Sequence, residues 1–492
     1  MSRLLGFLLF SLFVSQSTAQ NKFASIPDLS AKARTYSYSN EGKLIYFIRD
    51  KKILHVLVYD TAFTLLKQVR YNLEDFIDKS EGVLGVTEIN KMPSLFFGDK
   101  RLASFSSISL DIGTYDVLQH SYPVLPNEQY YLNSFSANGK FYVVCFTDKE
   151  PSGLILKEYK GDGSVTDHLI SLVDLPLNLG YFEQVNQLFY EIDVSSLKKI
   201  RWDAPNNNIT AGAWSKFYVH NNQLLITLNN VPDTTQIISI DLDTYQKKFR
   251  KIPSGNFVSK KDRRLNDNSF LIDDKLFYVA ACREQLLLKV LDFETGATLQ
   301  QFATNKEEEI KYRNGAFCKT LNNKESEPEF DTKKMLDKFC DKSADAKLGV
   351  GVSYSEHGDY EVTIGNSRTT NTNYPFIMPY FFNPPPPLSG PPGFGAAWIL
   401  LLSLLWAEGL PNKSVAYENY YFKTHLNKSD LSYVKRSVVP SQYDKLNLKV
   451  EELKDSEVVI AISKIRFNGN LVLSYYNTES QNFYTSVFGP EK

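Results

Sequence analysis

Ile108-Ser109-Leu110-Asp111-Ile112-Gly113-Thr114-Tyr115 and Ile238-Ser239-Ile240-Asp241-Leu242-Asp243-Thr244-Tyr245 are near copies of one another, 130 positions apart in the same chain. Each reads as an apolar strand whose last residues run into an Asp. That Asp closes a turn by accepting hydrogen bonds from backbone amides, and Gly or Thr supplies the turn geometry. Looser versions occur at Val58-Tyr59-Asp60-Thr61 and at Val290-Leu291-Asp292-Phe293-Glu294-Thr295-Gly296.

About sixteen residues before each Asp stands a second recurring element, a gap that accommodates two paired strands. Ser39-Asn40-Glu41-Gly42-Lys43 leads into Leu44-Ile45-Tyr46-Phe47-Ile48, and Ser136-Ala137-Asn138-Gly139-Lys140 leads into Phe141-Tyr142-Val143-Val144. A tight polar turn feeding a β-branched and aromatic run is a hairpin signal. Its apolar anchors fall near Leu44, Leu95, Phe141, Leu188, Leu224 and Leu276, with further units starting near Val350 and Val458. A spacing of about 36 to 52 residues is that of four-stranded propeller blades. The expected fold is all-β, a β-propeller of seven or eight four-stranded blades, and the count leans to eight. A β-sandwich array is the competing architecture.

The segment Leu276–Leu299, with its Asp-x-x-Thr-Gly turn, resembles quinoprotein-like and YVTN-type propeller repeats. The resemblance is one of architecture and implies the propeller fold. Where quinoprotein repeats carry Trp after the Thr-Gly turn, this chain reads Ala297-Thr298-Leu299-Gln300, so no quinone or other cofactor is expected.

Composition agrees with a β protein. The 492 residues are 43% hydrophobic, with 29 Tyr and 33 Phe against 4 Met. Aromatic and β-branched residues favour strands. Lys+Arg number 55 and Asp+Glu 56, a balance that lacks the basic surplus a nucleic-acid binder needs.

The expected organisation has a signal peptide at 1–19, blades 1–6 at 20–303 and an acidic insertion at 304–347. A seventh blade starts at 348–383, a proline-rich apolar insertion covers 384–411, and closing blades fill 412–492. Arg3, the apolar run Leu4–Val14 and Ser17-Thr18-Ala19 form the leader. Export to a periplasmic or extracellular space permits a disulfide, and Cys318 with Cys340 is the favoured pair, contributing about 3 kcal/mol if unstrained. Cys145 and Cys282 lie in apolar runs and read as core thiols. The leader boundary and the repeats look similar to envelope proteins of Gram-negative bacteria; Asn208, Asn412 and Asn427 head glycosylation sequons that matter only in a eukaryotic pathway.

Two segments stand out as binding candidates. The first is basic: Lys247, Lys248, Arg250, Lys251, Lys260, Lys261, Arg263 and Arg264, expected on a loop between units. It suits an anionic lipid, a polysaccharide or an acidic partner. The second follows Pro384-Pro385-Pro386-Pro387 and is apolar from Phe394 to Ala407, with Trp398 and Trp406. As a helix it reaches about 22 Å, short of the roughly 30 Å hydrocarbon core. It is read as packed on the propeller or a second protomer, as shallowly inserted at a membrane interface, or as a span, the last conflicting with a closed ring.

No metal-binding His spacing, nucleophile elbow or phosphate loop is present, and no catalytic or metal-ligating residue is assigned. The expected role is a binding or scaffold protein of the cell envelope with a protein partner or membrane contact, and oligomers are allowed. The alternative is a glycan or peptide hydrolase or lyase with its site in the central channel, and a third reading makes the chain part of a larger secretion or motility assembly.

Overall fold

The computed structural model describes residues 21–40, 42–73, 82–99, 102, 104–180, 182, 184–189, 197–201, 206, 208–254, 266–282, 284–305, 308–321, 324–326, 339, 347–355, 357–370, 416–437 and 442–488. They form seven antiparallel sheets arranged as the blades of a propeller. Blade 1 uses Arg34–Asn40, Lys43–Asp50, Ile53–Tyr59 and Leu65–Asn72; blade 2 uses Gly82–Ile89, Met92–Gly98, Phe105–Leu110 and Val117–Ser121. Blade 3 is built from Gln129–Ala137, Lys140–Thr147, Gly153–Tyr159 and Val165–Ser171. Blade 4 is built from Ser215–His220, Gln223–Val231, Thr234–Asp241 and Lys247–Pro253, and blade 5 from Asn266–Ile272, Lys275–Ala281, Gln285–Asp292 and Thr298–Asn305.

In these five blades strand order follows the chain from the inner strand outward, as hairpin-by-hairpin folding dictates. The repeated Asp performs the role read from sequence. Asp111 Oδ1 accepts the amides of Gly113 (2.7 Å) and Thr114 (3.2 Å), and Asp241 Oδ1 accepts those of Asp243 (3.0 Å) and Thr244 (2.8 Å). The turn then puts Tyr115 and Tyr245 at φ of 64° and 57°, the left-handed conformation that turns the chain into the outer strand.

Blades 6 and 7 are wired differently. Blade 6 has its inner strand at Lys347–Tyr354, followed by Tyr360–Thr370 and Ala416–Leu426, but its outer strand, Asn314–Leu321, with the short Lys324–Ser326 paired beyond it, comes earlier in the chain. Blade 7 takes Val459–Phe467, Asn470–Asn477 and Asn482–Phe488 from the C-terminal part, and Asn21–Ser25 adds its outermost strand. Pairing of Asn21 with Thr485 and Ser25 with Asn482 closes the ring.

Several boundaries therefore move. Residues 20–303 supply five complete blades, because the anchor at Leu188 sits in a 3-10 turn, Val185–Leu188, packed against blades 3 and 4. The stretch 304–347, expected as an acidic insertion, contains a strand of blade 6, Asn314–Leu321, and Phe339 within it is buried beside Phe317 and Phe422. Residues 412–492 hold one strand of blade 6, all but one strand of blade 7, and a helix, α1 (Gln442–Lys454). The leader 1–19 and the segment 371–415, with Phe394, Trp398 and Trp406, lie outside the described residues, as does Cys340. Cys318 is half-buried on the outer strand of blade 6; Cys145 and Cys282 are buried.

Apolar side chains fill the seams between successive blades, that between blades 6 and 7 excepted, and the middle strands bury residues on both faces. Ile45, Phe47 and Val56 meet Leu95 and Phe97 between blades 1 and 2; Phe96, Phe105, Phe141 and Tyr159 join blades 2 and 3. Burying such side chains contributes about 1.5–3 kcal/mol each. Gly85 is required where it stands, since a Cβ there would lie 2.8 Å from the Phe141 ring.

The high Tyr count has a second use. Tyr38 OH donates to Glu88 (3.0 Å) across blades 1 and 2, and Tyr245 OH donates to Glu158 (2.5 Å) across blades 4 and 3. Tyr354 and Tyr360 both donate to Asp273, at 2.5 and 2.6 Å, across blades 6 and 5. A ring at the seam, buried in the case of Tyr360, with its hydroxyl on a neighbouring blade's carboxylate fixes the angle between sheets, because a charge-assisted bond is lost when they slip.

Candidate functional site

Three regions concentrate polar chemistry: the axis, the space between blades 6 and 7, and the face from which the long segments leave the ring.

At the axis the chain between blades 3 and 4 turns inward. Lys198–Lys199 pairs in parallel with Ser215–His220 on its axial side, making an extra innermost strand of blade 4. Asn133 on the inner strand of blade 3 donates to Leu197 O at 2.8 Å. Asn268 on the inner strand of blade 5 donates to Gly212 O and to Leu348 O, each at 2.9 Å. Fully buried Lys216 donates to Ala213 O at 2.7 Å and to Asn268 Oδ1. A Cβ on Gly349 would lie 2.8 Å from Gly212 N, so the Gly349-Val350-Gly351 run lets this inward segment press backbone-to-backbone on blade 6. The described residues of 197–214 thus touch the inner strands of blades 3, 4, 5 and 6 and form a plug.

The second region holds the densest described cluster of titratable side chains. Lys423 Nζ lies 2.9 Å from Glu361 Oε1 and 3.2 Å from Asp444 Oδ2 on α1, and His425 Nε2 lies 3.3 Å from Glu361 Oε2. Glu361 and His425 are directly paired residues of adjacent strands, which places their side chains on one face of the sheet. Glu361 is buried, which raises its pKa, but the hydrogen bond from His425 and the Lys423 cation outweigh burial and hold it below the usual carboxylate value. Burial opposes the charge of Lys423, yet Glu361 and then Asp444 keep its pKa above the ordinary lysine value. His425 Nδ1 is buried without a hydrogen-bond partner, while the backbone amide of His425 donates to Asn314 Oδ1 at 2.8 Å.

A related group joins blades 3 and 4: Lys140 at 3.3 Å and His168 at 3.3 Å from Glu158, with His168 stacked on Tyr245 at 3.4 Å between ring centroids. Both groups place a histidine against a carboxylate of its own sheet, and each is tied to a neighbouring element, one through Lys423 to Asp444 of α1 and the other through Glu158 to Tyr245 of blade 4. Among the described residues no group of His, Cys, Asp and Glu is placed to hold a metal ion. A depression of about 160 Å³ lined by Asn40, Lys43, Glu88, Lys91, Ile112 and Gly113 lies over the seam of blades 1 and 2.

The basic candidates divide. Lys247, Lys248, Arg250 and Lys251 lie on the outer strand of blade 4, not on a loop as the charge run suggested; Phe249 and Ile252 on the same strand pack on opposite faces, toward blades 3 and 5 respectively. Two of these cations brace the fold. Lys247 bridges to Asp174, and Arg250 pairs with Glu294 at 2.9 Å while its guanidinium lies 4.7 Å from the Phe293 ring centre. Lys248 is exposed. Lys260, Lys261, Arg263 and Arg264 lie outside the described residues, between Ser254 and Asn266.

Topology relates that basic segment to the apolar insertion. Asn266 begins the inner strand of blade 5 and accepts from the amide of Leu348, at the start of the inner strand of blade 6, at 3.4 Å. Lys347 pairs with Ser367, so the end of the hairpin at Thr370 and Ala416 projects past this same end of the ring. The hairpin turns at Asp273 and at Tyr354–Tyr360 meet at the opposite end. Segments 255–265 and 371–415 therefore attach to the same face of adjacent blades. Sequence reasoning located both segments but not their shared face; the inverted order of blade 6 hid it.

No known protein family matches the chain, and no curated protein matches it. Solved structures with related folds include a prolyl endopeptidase (8% identity, TM-score 0.36), of which the match covers 51% while covering 94% of this chain. The Nup133 β-propeller domain of Vanderwaltozyma polyspora has 9% identity and a TM-score of 0.35, with 96% of this chain and 99% of that domain covered. The Dos1 propeller has 10% identity and a TM-score of 0.29, covering 69% of this chain and 71% of that one. The chain spans about half the length of the peptidases with which it aligns. At these identities the likeness is one of architecture.

Proposed function

We propose that the protein is an exported propeller that binds or scaffolds at a cell envelope, and that the face carrying segments 255–265 and 371–415 meets an anionic membrane surface. The observation that carries this reading is the common face of the two attachments. One segment brings Lys260, Lys261, Arg263 and Arg264; the other brings Phe394, Trp398 and Trp406. Basic side chains attracted to anionic headgroups, beside aromatic and aliphatic side chains that favour the interface, are the two ingredients of peripheral membrane binding.

Topology favours shallow insertion over a span. Thr370 and Ala416 are a paired rung, so segment 371–415 returns to its point of departure, and sheets on both sides of it belong to one ring. A single crossing would part Ala416–Leu426 from the rest of blade 6 and the strands of 459–488 from Asn21–Ser25.

Flotation of the full chain with vesicles tests the reading. The native protein is expected to float with vesicles containing anionic lipid and to remain at the bottom with neutral ones. Replacing 371–415 by an Asn-Gly turn, which the paired strand ends accept, is expected to abolish flotation, as is charge reversal at Lys260, Lys261, Arg263 and Arg264. Absence of flotation by the native protein on anionic vesicles would exclude the membrane and leave a protein partner as the occupant of this face.

A further inference from the structure

Five of the seven junctions around the ring place apolar side chains of one sheet directly on those of the next, and a sixth, between blades 7 and 1, does so with Val472, Tyr476 and Phe483 against Leu44, Tyr46 and Leu57. Between blades 6 and 7 no apolar cluster of the described residues spans the gap. Blade 6 sends Val350, Val362, Ile364 and Phe422 toward blade 5 and turns Glu361, Lys423 and His425 the other way. Blade 7 covers its facing side with α1, whose Leu446, Val450 and Leu453 pack on Leu471, Leu473 and Tyr475.

Two inserted pieces fill the wedge between these sheets. Helix α1 occupies one part and reaches blade 6 through Asp444 and Lys423. Near the axis, Asn206 and Ala211 of the plug lie over Gly351, and the Arg201 cation acts on Lys464 of the inner strand of blade 7. The described contact between α1 and blade 6 is therefore electrostatic, whereas its contact with blade 7 is centred on apolar packing, with Lys464 on Asn447 and Arg466 on Tyr443 at its edge.

We propose that the seam between blades 6 and 7 is a separable joint of the ring, and that Lys423, bridging Glu361 of blade 6 to Asp444 of α1, is its latch. Separation there leaves every sheet ladder whole, because blade 6 is complete within 314–426 and blade 7 within 459–488 and 21–25. The covalent connection between the two sheets is long, running from Asn427 through α1 to Val458. The groups that face the latch are Glu361 and His425 from blade 6 and Asp444 from α1. Protonating the carboxylates removes the attraction, so acid releases the joint before it affects the apolar seams. Blade 6 is also the sheet that bears segment 371–415, so the joint governs how freely that sheet tilts.

Hydrogen exchange of the full chain, read by mass spectrometry and corrected for intrinsic rates, provides the test. In Lys423→Met, peptides from 442–454 and 208–214 are expected to exchange at least tenfold faster at pH 7. Peptides from 92–98 and 140–147 should be unchanged, and Lys423→Arg should restore the native rates. Unchanged exchange in Lys423→Met overturns the latch, and equal acceleration around the ring overturns the joint. If Lys423→Met does not fold, the native protein carries the test: on stepwise acidification 442–454 and 208–214 must lose protection before 92–98 and 140–147. Simultaneous loss overturns the proposal.

Discussion

Between blades 2 and 3 the Phe96 ring lies on that of Phe141, nearly parallel and 3.9 Å between centres, with Phe105, Tyr122 and Tyr159 packed around the pair. Between blades 6 and 7 the corresponding space holds a lysine between two carboxylates and a helix that is apolar on one side only. The first seam rests on area removed from water and is insensitive to pH and salt. The second rests on Coulomb attraction whose gain is offset by the cost of taking charges out of water. The same ring thus combines junctions that set stability with one that sets adjustability.

The largest separation between the two kinds of seam should come from Phe141→Ala. Removing a ring buried on both sides is expected to cost about 3–5 kcal/mol, seen as a fall in the urea midpoint that does not vary between pH 5 and 8. A loss below about 1 kcal/mol would show that the aromatic seam is not what holds blades 2 and 3.

Next comes a pH effect of opposite sign to that at the latch. Burial pushes the Asp267 carboxyl up to about 6, a rise that the hydrogen bonds from Tyr278 OH and the Asp233 amide only partly offset. A raised folded-state pKa means the folded protein holds this proton longer than the unfolded chain. Its contribution is fully present below about pH 4 and is lost as pH rises through about 6, for a total of about 3 kcal/mol. Asp267→Asn should flatten that part of the stability profile. For Glu361, held below its usual value, the sign reverses: stability is present above the ordinary glutamate range and lost as pH falls through the lowered value. Subtracting the profile of Glu361→Gln from that of the native protein should show this.

Lys423→Met alone is expected to cost about 2 kcal/mol, because it strands a buried carboxylate. Adding Glu361→Met should recover most of the loss, whereas a second truncation in the aromatic seam would add to the first. Thermal unfolding of the two single variants and the double variant measures this difference. Smallest is Tyr245→Phe, which removes the hydroxyl bond to Glu158 but keeps the ring; a loss of about 1 kcal/mol is expected in the same assay.

The repeating part of the ring was legible because its blades announce themselves by a polar turn before Leu44, Phe141 or Leu276 and, in blades 1, 2, 4 and 5, by the Asp at the end of the third strand. Those signals are local, so strands within 34–305 emerge from pattern alone. The outer strand of blade 6 was not legible, since Asn314–Leu321 precedes its sheet and pairs with a strand about a hundred residues later. Asn21–Ser25 is short and polar, and only its partner makes it a strand. Helix α1 did carry a signal, Leu446, Val450 and Leu453 at helical spacing, that the strand-rich surroundings masked. The plug left a fainter one, the paired glycines 349 and 351 inside an otherwise apolar strand, a mark of close backbone approach. Among the candidate binding residues, charge alone did not distinguish Lys247 and Arg250, which brace blade 4, from those of segment 255–265.

The closing rung between Asn21 and Thr485 also sets a schedule. A contact between residues separated by some 460 positions carries a loop-closure cost of roughly 5 kcal/mol beyond its constant term when the intervening chain is loose, and far less once six blades have condensed. Completion of the ring is accordingly the last act of folding, and it waits for strand Asn482–Phe488 to leave the ribosome. Until then the N-terminal strand stays unpaired, available to whatever machinery handles the beginning of the chain while its end is still being made.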